Sequence, residues 1–295
     1  MKDLIFTGSG VALITPMTAT GEIDYVELKR LIEFQIKNGT DAIVICGTTG
    51  ESATLNDKEH LECIRFAIDT VAGRIPVIAG TGSNDTAHAV YMSKEAAQLG
   101  ADGLLLVTPY YNKTNQSGLI AHFSTIMDAA GIPAILYNVP SRTGVNIQPQ
   151  TALELSKHPL VRGLKAASGN LSQVAHVAAL CGEELPLYSG NDDQVVPILS
   201  LGGKGVISVV ANPEPAKVHQ ICQLWFDGKT AESAKLQLEL IGLCDAMFCD
   251  VNPIPVKAAM NMLGWKAGDC RLPLGPLSDE NLKFVRRELE KANLL

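Results

Sequence analysis

The sequence predicts an α/β fold: a (β/α)8 TIM barrel with a C-terminal helical appendix. Three observations favour this fold. Apolar, strand-like segments alternate with amphipathic helical segments over the first 226 residues. Segments such as 43–45 and 104–107 are apolar on both faces, as parallel strands covered by helices must be. Eight such units in about 225 residues match the usual size of a (β/α)8 barrel.

Each unit pairs a strand with the helix that follows it, and strict alternation implies right-handed parallel crossovers. Strands are predicted at 11–15, 42–46, 77–80, 103–108, 134–138, 161–166, 187–189 and 205–210. Helices are predicted at 25–37, 57–71, 86–99, 117–130, 149–157, 171–180, 194–201 and 214–226. Only helices are predicted beyond that point, at 231–248, 256–263 and 279–291. We therefore expect a barrel domain over residues 1–226 and a helical region over 227–295 that packs on it.

The main alternative fold is a doubly wound parallel sheet. Such a sheet usually carries a glycine-rich dinucleotide turn after its first strand. Here the glycines of segment 8–10 precede the first predicted strand, and segment 80–85 lacks the third glycine of that motif. No phosphate-binding P-loop sequence is present either. The barrel is therefore the preferred prediction.

Composition narrows the classes of function. The chain has 295 residues, 46% of them hydrophobic and 19% charged, and its net charge is -7. An acidic chain is a poor partner for nucleic acid or an anionic membrane, and no apolar run approaches the roughly 20 residues of a membrane span. The seven cysteines form no CxxC pair and the histidines show no HExxH spacing, so we expect reduced thiols and no bound metal. Residues 1–5 carry no export pattern, which predicts a cytoplasmic protein.

Lys165 is the strongest single indication of chemistry. It lies in the sixth predicted strand, within the largely apolar segment 160–168. Burial lowers the pKa of a lysine, and the neutral amine can attack a carbonyl carbon to form a Schiff base. Tyr137 lies toward the end of the neighbouring fifth strand, about 4.8 Å away, so the two side chains can meet. Lys204, the other strand-associated lysine, lies at the amino end of its strand, where residues usually serve stability.

Active sites of such barrels lie on the loops at the carboxyl ends of the strands. The loops of interest are 47–52 (GTTGES), 108–112 (TPYYN), 137–144 (YNVPSRTG) and 189–192 (SGND). Most of these features also have an ordinary structural explanation. Segment 47–52 could be a strand-to-helix turn or a phosphate nest, and the tyrosines of 108–112 could be packing aromatics. Segment 137–144 could be a proline turn with a surface arginine. Their convergence on one rim beside a strand lysine favours a catalytic site.

The sequence also resembles the dihydrodipicolinate synthases over essentially its whole length. These are pyruvate-dependent class I aldolases, related to N-acetylneuraminate lyase. The resemblance rests on segments 47–52, 137–144, 163–165 and 252–257 (NPIPVK). Thr48, Thr49 and Arg142 favour the synthases over the sialic acid lyases.

The resemblance implies a role for each candidate residue. Lys165 would form a Schiff base with pyruvate, and Arg142 would hold the carboxylate of aspartate semialdehyde in a two-pronged contact. Tyr137, Thr49 and Tyr111 would relay protons, with Tyr111 reaching in from a neighbouring subunit of a homotetramer built as a dimer of dimers. No cofactor is implied. The implied substrate-binding residues are Thr48, Thr49, Arg142, Gly190 and Ile207.

The resemblance also implies an inhibitory site for lysine in a cleft between subunits. Asp57 and His88 stand where inhibited relatives typically have histidine and glutamate, so we expect weak or absent inhibition. Three alternatives remain for the activity: a related aldolase acting on a sugar acid, a catalytically silent barrel that binds a keto acid, and a metal-dependent aldolase. The residues that match the inhibitory cleft are Ser52, Ala53, His60, Asn84 and Tyr110.

Overall fold

The computed structural model describes residues 3–295 and contains a closed barrel of eight parallel strands. The strands pair in chain order, and β8 closes the barrel by pairing with β1. The predicted (β/α)8 fold is therefore confirmed. Met1 and Lys2, part of the segment predicted to lack an export signal, lie outside the described residues. The strands are β1 (Gly8–Ala12), β2 (Ala42–Ile45), β3 (Val77–Gly80), β4 (Gly103–Val107), β5 (Ala134–Asn138), β6 (Val161–Ala166), β7 (Leu187–Ser189) and β8 (Gly205–Ser208).

Helices surround the barrel. Across residues 3–295, none of them is both long and apolar enough to cross a lipid bilayer. Those that follow the strands are α1 (Tyr25–Lys37), α2 (Asp57–Val71), α3 (Thr86–Gln98), α4 (Gln116–Ala130), α5 (Pro140–Thr143), α6 (Pro149–Ser156), α7 (Leu171–Cys181), α8 (Val195–Ser200) and α9 (Pro215–Phe226). The C-terminal helices are α10 (Thr230–Glu239), α11 (Ile241–Met247), α12 (Ile254–Met262) and α13 (Asp279–Lys291).

Local sequence fixes where several helices begin. At α2, the side chain of Asn56 accepts the backbone N–H of Glu59, and the carboxylate of Glu59 accepts the backbone N–H of Asn56. This reciprocal capping satisfies N–H groups that have no partner within the helix. Asp85 and Ser278 cap α3 and α13 through their side-chain oxygens. These starts agree with the predicted helix boundaries.

The barrel interior has its own apolar cluster, separate from the larger core between strands and helices. Phe6 stacks on Tyr188 with ring centroids 4.6 Å apart, and the hydroxyl of Tyr188 donates to the carbonyl of Phe6 at 2.6 Å. Phe6 precedes β1, so this pair fills the amino end of the barrel. A candidate site is therefore expected at the opposite, carboxyl end, where the active sites of such barrels lie.

Three predicted elements differ from the structure in kind or by more than two residues at an end. β1 begins at Gly8, so Gly8 and Gly10 lie inside the strand rather than before it. A Cβ at Gly8 would lie 2.1 Å from the carboxylate of Asp41, and one at Gly10 would lie 2.9 Å from the ring of Phe6. The two glycines allow this close packing, but in the sequence a pair of glycines looks like a turn. The predicted helix 231–248 is two helices, which meet at Leu240, and the predicted loop after β5 contains α5. The boundary between the two regions at residue 226 stays a prediction.

Candidate active site

Lys165 and Tyr137 are direct partners in the pairing of β5 with β6. Both side chains are buried, with exposed fractions of 5% and 7%. The Nζ atom of Lys165 lies 4.2 Å from the centre of the Tyr137 ring. The predicted contact between these two residues is thus present.

Burial lowers the pKa of Lys165 to about 8, because the charged amine loses its water. The nearby carboxylate of Asp192 acts in the opposite direction, whereas the positive charge of Arg142 lowers this pKa further. Burial also raises the pKa of Tyr137, while Arg142 and a hydrogen bond to Thr48 lower it. A substantial neutral fraction of Lys165 thus lies beside a protonated phenol, an arrangement suited to carbonyl addition with proton transfer.

Asp192 is a buried carboxylate that the sequence prediction did not include among the site residues. Ser208 donates its hydroxyl proton to this carboxylate, and the backbone N–H groups of Val209 and Val210 donate to it at 3.0 and 3.3 Å. Burial raises the pKa of Asp192, and these hydrogen bonds together with the charge of Lys165 oppose that rise. Its charge therefore acts on Lys165 from a fixed position at the ends of β7 and β8.

The GTTGES segment forms a compact turn directly after β2. The backbone N–H of Gly50 donates to the carbonyl of Gly47, and that of Glu51 donates to the carbonyl of Thr48, both at 3.1 Å. Thr49 is buried, and its Oγ1 accepts the side-chain N–H of Asn252 at 3.0 Å. The turn therefore joins the mouth of the barrel to the C-terminal region.

Arg142 lies in the short helix α5, which begins at Pro140 and ends at Gly144. Proline at the first helical position and glycine with positive φ after the last are favourable helix ends. The side chain is exposed, and its Nη2 donates to the carbonyl of Asn252 at 3.0 Å. The guanidinium thus lies at the rim, where an anionic substrate group can reach it.

These side chains surround one cleft of about 730 Å³. Gly190 lies against the lysine: a Cβ there would be 3.1 Å from Cε of Lys165. The C-terminal region supplies part of the wall, including Phe248 and Asn252. The sequence-predicted residues that line the cleft are Thr49, Tyr137, Arg142, Lys165 and Gly190.

Three predicted residues are not part of this lining. Thr48 contacts Tyr137 through the hydrogen bond described above. Ile207 is fully buried inside the barrel, in the same cluster as Tyr137. Tyr111 is 91% exposed and its backbone has a φ of +67°, a conformation that few non-glycine residues adopt.

The residues matching the inhibitory cleft lie on the loops after β2, β3 and β4, except His60, which lies in α2. His60 is buried and its Nε2 lies 2.8 Å from the carbonyl of Gly80; burial lowers its pKa. Asp57 and His88 contact each other, with 2.9 Å between Oδ1 and Nε2. Ser52 and Ala53 lie in a 3-10 turn. The carbonyl of Asn84 accepts a hydrogen bond from the side chain of Asn112, and Tyr110 is partly exposed.

Comparison with known proteins agrees with this geometry. A model of the dihydrodipicolinate synthetase family matches residues 5–292. The chain belongs to this family. The 4-hydroxy-tetrahydrodipicolinate synthase of Caldicellulosiruptor saccharolyticus is 57% identical over 285 residues, which cover 97% of this chain and 96% of that protein.

Solved structures of family members superpose closely. The chloride-inhibited synthase of Acinetobacter baumannii, solved with pyruvate, has 39% identity and a TM-score of 0.96 and covers 98% of this chain and 99% of that one. The enzyme of Cyanidioschyzon merolae, solved with lysine bound, has 41% identity and a TM-score of 0.96 and covers 99% and 100% of the two chains. The family prediction is confirmed.

The sequence prediction assigned no role to Asp192, Asn252, Glu51 or Lys257. Asp192 carried a usable signal, since it is an acidic residue just beyond the carboxyl end of a buried strand. Asn252 and Lys257 stand in a segment that supports the family resemblance, but no periodic pattern links this segment to the barrel mouth. Their proximity to the turn after β2 is visible only in three dimensions.

Proposed function

We propose that this chain condenses pyruvate with L-aspartate 4-semialdehyde to give 4-hydroxy-2,3,4,5-tetrahydrodipicolinate, a step of diaminopimelate and lysine biosynthesis. The observation that carries the proposal is Lys165, a buried strand lysine with a pKa of about 8 that lies against Tyr137 in an open cleft. Family membership and the names of the curated relatives support the choice of substrates.

The first half of the reaction uses pyruvate. The neutral amine of Lys165 adds to the keto carbon, water leaves, and a protonated imine remains. This cation accepts the electron pair released when the methyl group loses a proton, which gives the enamine. Thr48 and Thr49 would bind the pyruvate carboxylate, and Tyr137 would transfer protons with Thr49 and Tyr111. Asp192 supplies a fixed negative charge that favours the cationic imine.

The second half uses the aldehyde. The enamine carbon attacks the aldehyde carbon, whose oxygen takes up a proton, and a new carbon–carbon bond forms while the imine of Lys165 is restored. The amino group of the former aldehyde substrate then adds to the imine carbon, which closes the six-membered ring, and the amine of Lys165 leaves as the ring imine forms. Arg142 would bind the substrate carboxylate through two N–H groups, a contact that lysine cannot reproduce. The absence of a side chain at Gly190 leaves room beside the lysine. The backbone of Ile207 would complete the pocket floor.

The test is a coupled assay with pyruvate and aspartate semialdehyde. We expect consumption of both substrates, and borohydride reduction with pyruvate should leave a covalent adduct on Lys165 that Lys165→Ala abolishes. Faster turnover of N-acetylneuraminate or of a keto-deoxy sugar acid would support the related sugar-acid aldolase instead. Pyruvate binding without any aldehyde consumption would indicate a catalytically silent barrel that binds a keto acid. Loss of turnover in the presence of a chelator would indicate a metal-dependent aldolase.

We also propose a cytoplasmic homotetramer, built as a dimer of dimers, in which Tyr111 acts in the site of a neighbouring subunit. The exposed ring and the uncommon backbone conformation of Tyr111 support this role, because residues held in such conformations cluster at functional sites. Analytical ultracentrifugation measures the number of subunits in the assembly, and four are expected. Hybrids of Lys165→Ala and Tyr111→Phe chains should regain activity, since some sites then receive both native residues; equally inactive hybrids would show that Tyr111 acts within its own chain.

For regulation, we propose that lysine inhibits this protein weakly or not at all. A lysine ammonium is best bound by a carboxylate, and His88 replaces the expected glutamate. Asp57 does carry a carboxylate, but it contacts His88 at 2.9 Å, so a ligand would have to compete with the histidine. Exchanging both residues, as Asp57→His with His88→Glu, should strengthen inhibition. Strong inhibition of the wild type at low lysine concentration would contradict the proposal.

A further inference from the structure

A buried ion pair connects the turn after β2 with the C-terminal region. Nζ of Lys257 in α12 lies 2.8 Å from Oε1 of Glu51, which follows the GTTG sequence. The two side chains are 2% and 0% exposed, and the residues are 206 positions apart. Even a paired, hydrogen-bonded buried ion pair often adds no more stability than apolar side chains of similar volume, so stability alone does not explain this one.

The polar contacts of this pair are made within the protein. The second carboxylate oxygen of Glu51 accepts the backbone N–H of Arg271, and Nζ of Lys257 also donates to the carbonyl of Asp269, both at 2.8 Å. Neither residue lines the active-site cleft. The pair therefore does not bind substrate, and any effect on the reaction must pass through the turn.

The turn is constrained on both sides of Thr49. Two residues after Thr49, Glu51 has a backbone φ of +57°, and its side chain is anchored to α12. Thr49 itself accepts a hydrogen bond from Asn252, two residues before the start of α12. The same C-terminal segment thus contacts the threonine and the glutamate. Loss of the anchor at Glu51 would allow the turn to move relative to Asn252.

We propose that the Glu51–Lys257 pair is a positioning device that holds Thr48 and Thr49 in the geometry required to bind the pyruvate carboxylate. This inference rests on the function proposed above. It assigns Glu51 and Lys257 as positioning residues for the first substrate only. Displacing binding groups by about 1 Å can reduce an enzymatic rate by about a hundredfold, so a small movement of the turn suffices.

The experiment compares Glu51→Gln with Glu27→Gln. Glu27 is a matched control because it is also a buried carboxylate, 2% exposed, and it accepts the backbone N–H of Lys266 at 2.8 Å, but it lies in α1, outside the cleft lining. The half-saturating concentration of pyruvate is measured by borohydride trapping, and the KM of each substrate by the coupled assay. We expect pyruvate half-saturation to rise about tenfold in Glu51→Gln, because the shifted turn would weaken one charge-assisted hydrogen bond to the pyruvate carboxylate. In Glu27→Gln it should rise less than twofold.

The KM for aspartate semialdehyde should stay within about twofold in both variants, which a general loss of stability would not explain. If Glu51→Gln does not fold, the double variant Glu51→Gln with Lys257→Met leaves no unpaired buried charge and should show the same rise. Unchanged pyruvate half-saturation in the folded variant, or an equal rise in Glu27→Gln, would overturn the inference alone. A wild type that traps no pyruvate would overturn the proposed function and this inference with it.

Discussion

The amine of Lys165 should titrate near pH 8 when pyruvate is absent. Burial lowers its pKa from 10.5 to about 8. At pH 7 the neutral fraction is then about one in ten, against about one in 3,000 for a solvated lysine. The gain in reactive amine is about 300-fold, which corresponds to a penalty of roughly 3 kcal/mol against the charged form.

The assay varies pH and measures capture of pyruvate. Protein and pyruvate are mixed for short fixed times between pH 6 and 10 and quenched with borohydride, and the adduct is quantified by intact mass. The capture rate should increase about tenfold from pH 6 to pH 7 and level off above pH 9. Lys165→Ala is the control for adducts elsewhere. A rate that still rises tenfold between pH 9 and 10 would refute the reasoning, because the amine would then titrate like an exposed lysine.

Three further predictions concern the same site. Asp192→Asn removes the charge that raises the pKa of Lys165, so the midpoint of the capture profile should fall below that of the wild type. Arg142→Lys cannot form the two-pronged contact, so the KM for aspartate semialdehyde should rise about tenfold while pyruvate capture stays unchanged. Lys165→Met should raise the free energy of unfolding in urea at pH 7 by up to about 3 kcal/mol. The folded-state pKa lies below the unfolded value, so the penalty of the charged amine is complete below pH 8 and disappears above about pH 10.5.

Each of these predictions has a contradicting result. An unchanged capture midpoint in a folded Asp192→Asn variant would mean that this carboxylate does not act on the amine. If Arg142→Lys weakened the binding of both substrates equally, the arginine would not be a selective binding group for the aldehyde substrate. A Lys165→Met variant whose stability gain is the same at pH 7 and pH 10.5 would show that packing, not ionisation, causes the gain.

The sequence was sufficient for the barrel and for the position of Lys165 within a buried strand. Parallel strands covered on both faces are continuously apolar, so the eight strands appear in the local pattern. A lysine within such a strand stands out for the same reason. The beginning of β1 was missed because Gly8 and Gly10 resemble a turn, whereas their function is to admit Asp41 and Phe6 at short distance. That need depends on neighbours remote in sequence.

Sequence by itself thus determined the fold class, the family and the position of Lys165, because each depends on local pattern or on segments that can be recognised one at a time. Tertiary structure alone decided which groups surround that lysine. Asp192 acts on it through space, and Asn252 and Lys257 reach the turn after β2 from about 200 residues away. Electrostatic interactions and hydrogen bonds act between neighbours in space, and the closure of the barrel together with the packing of α12 brings these neighbours together.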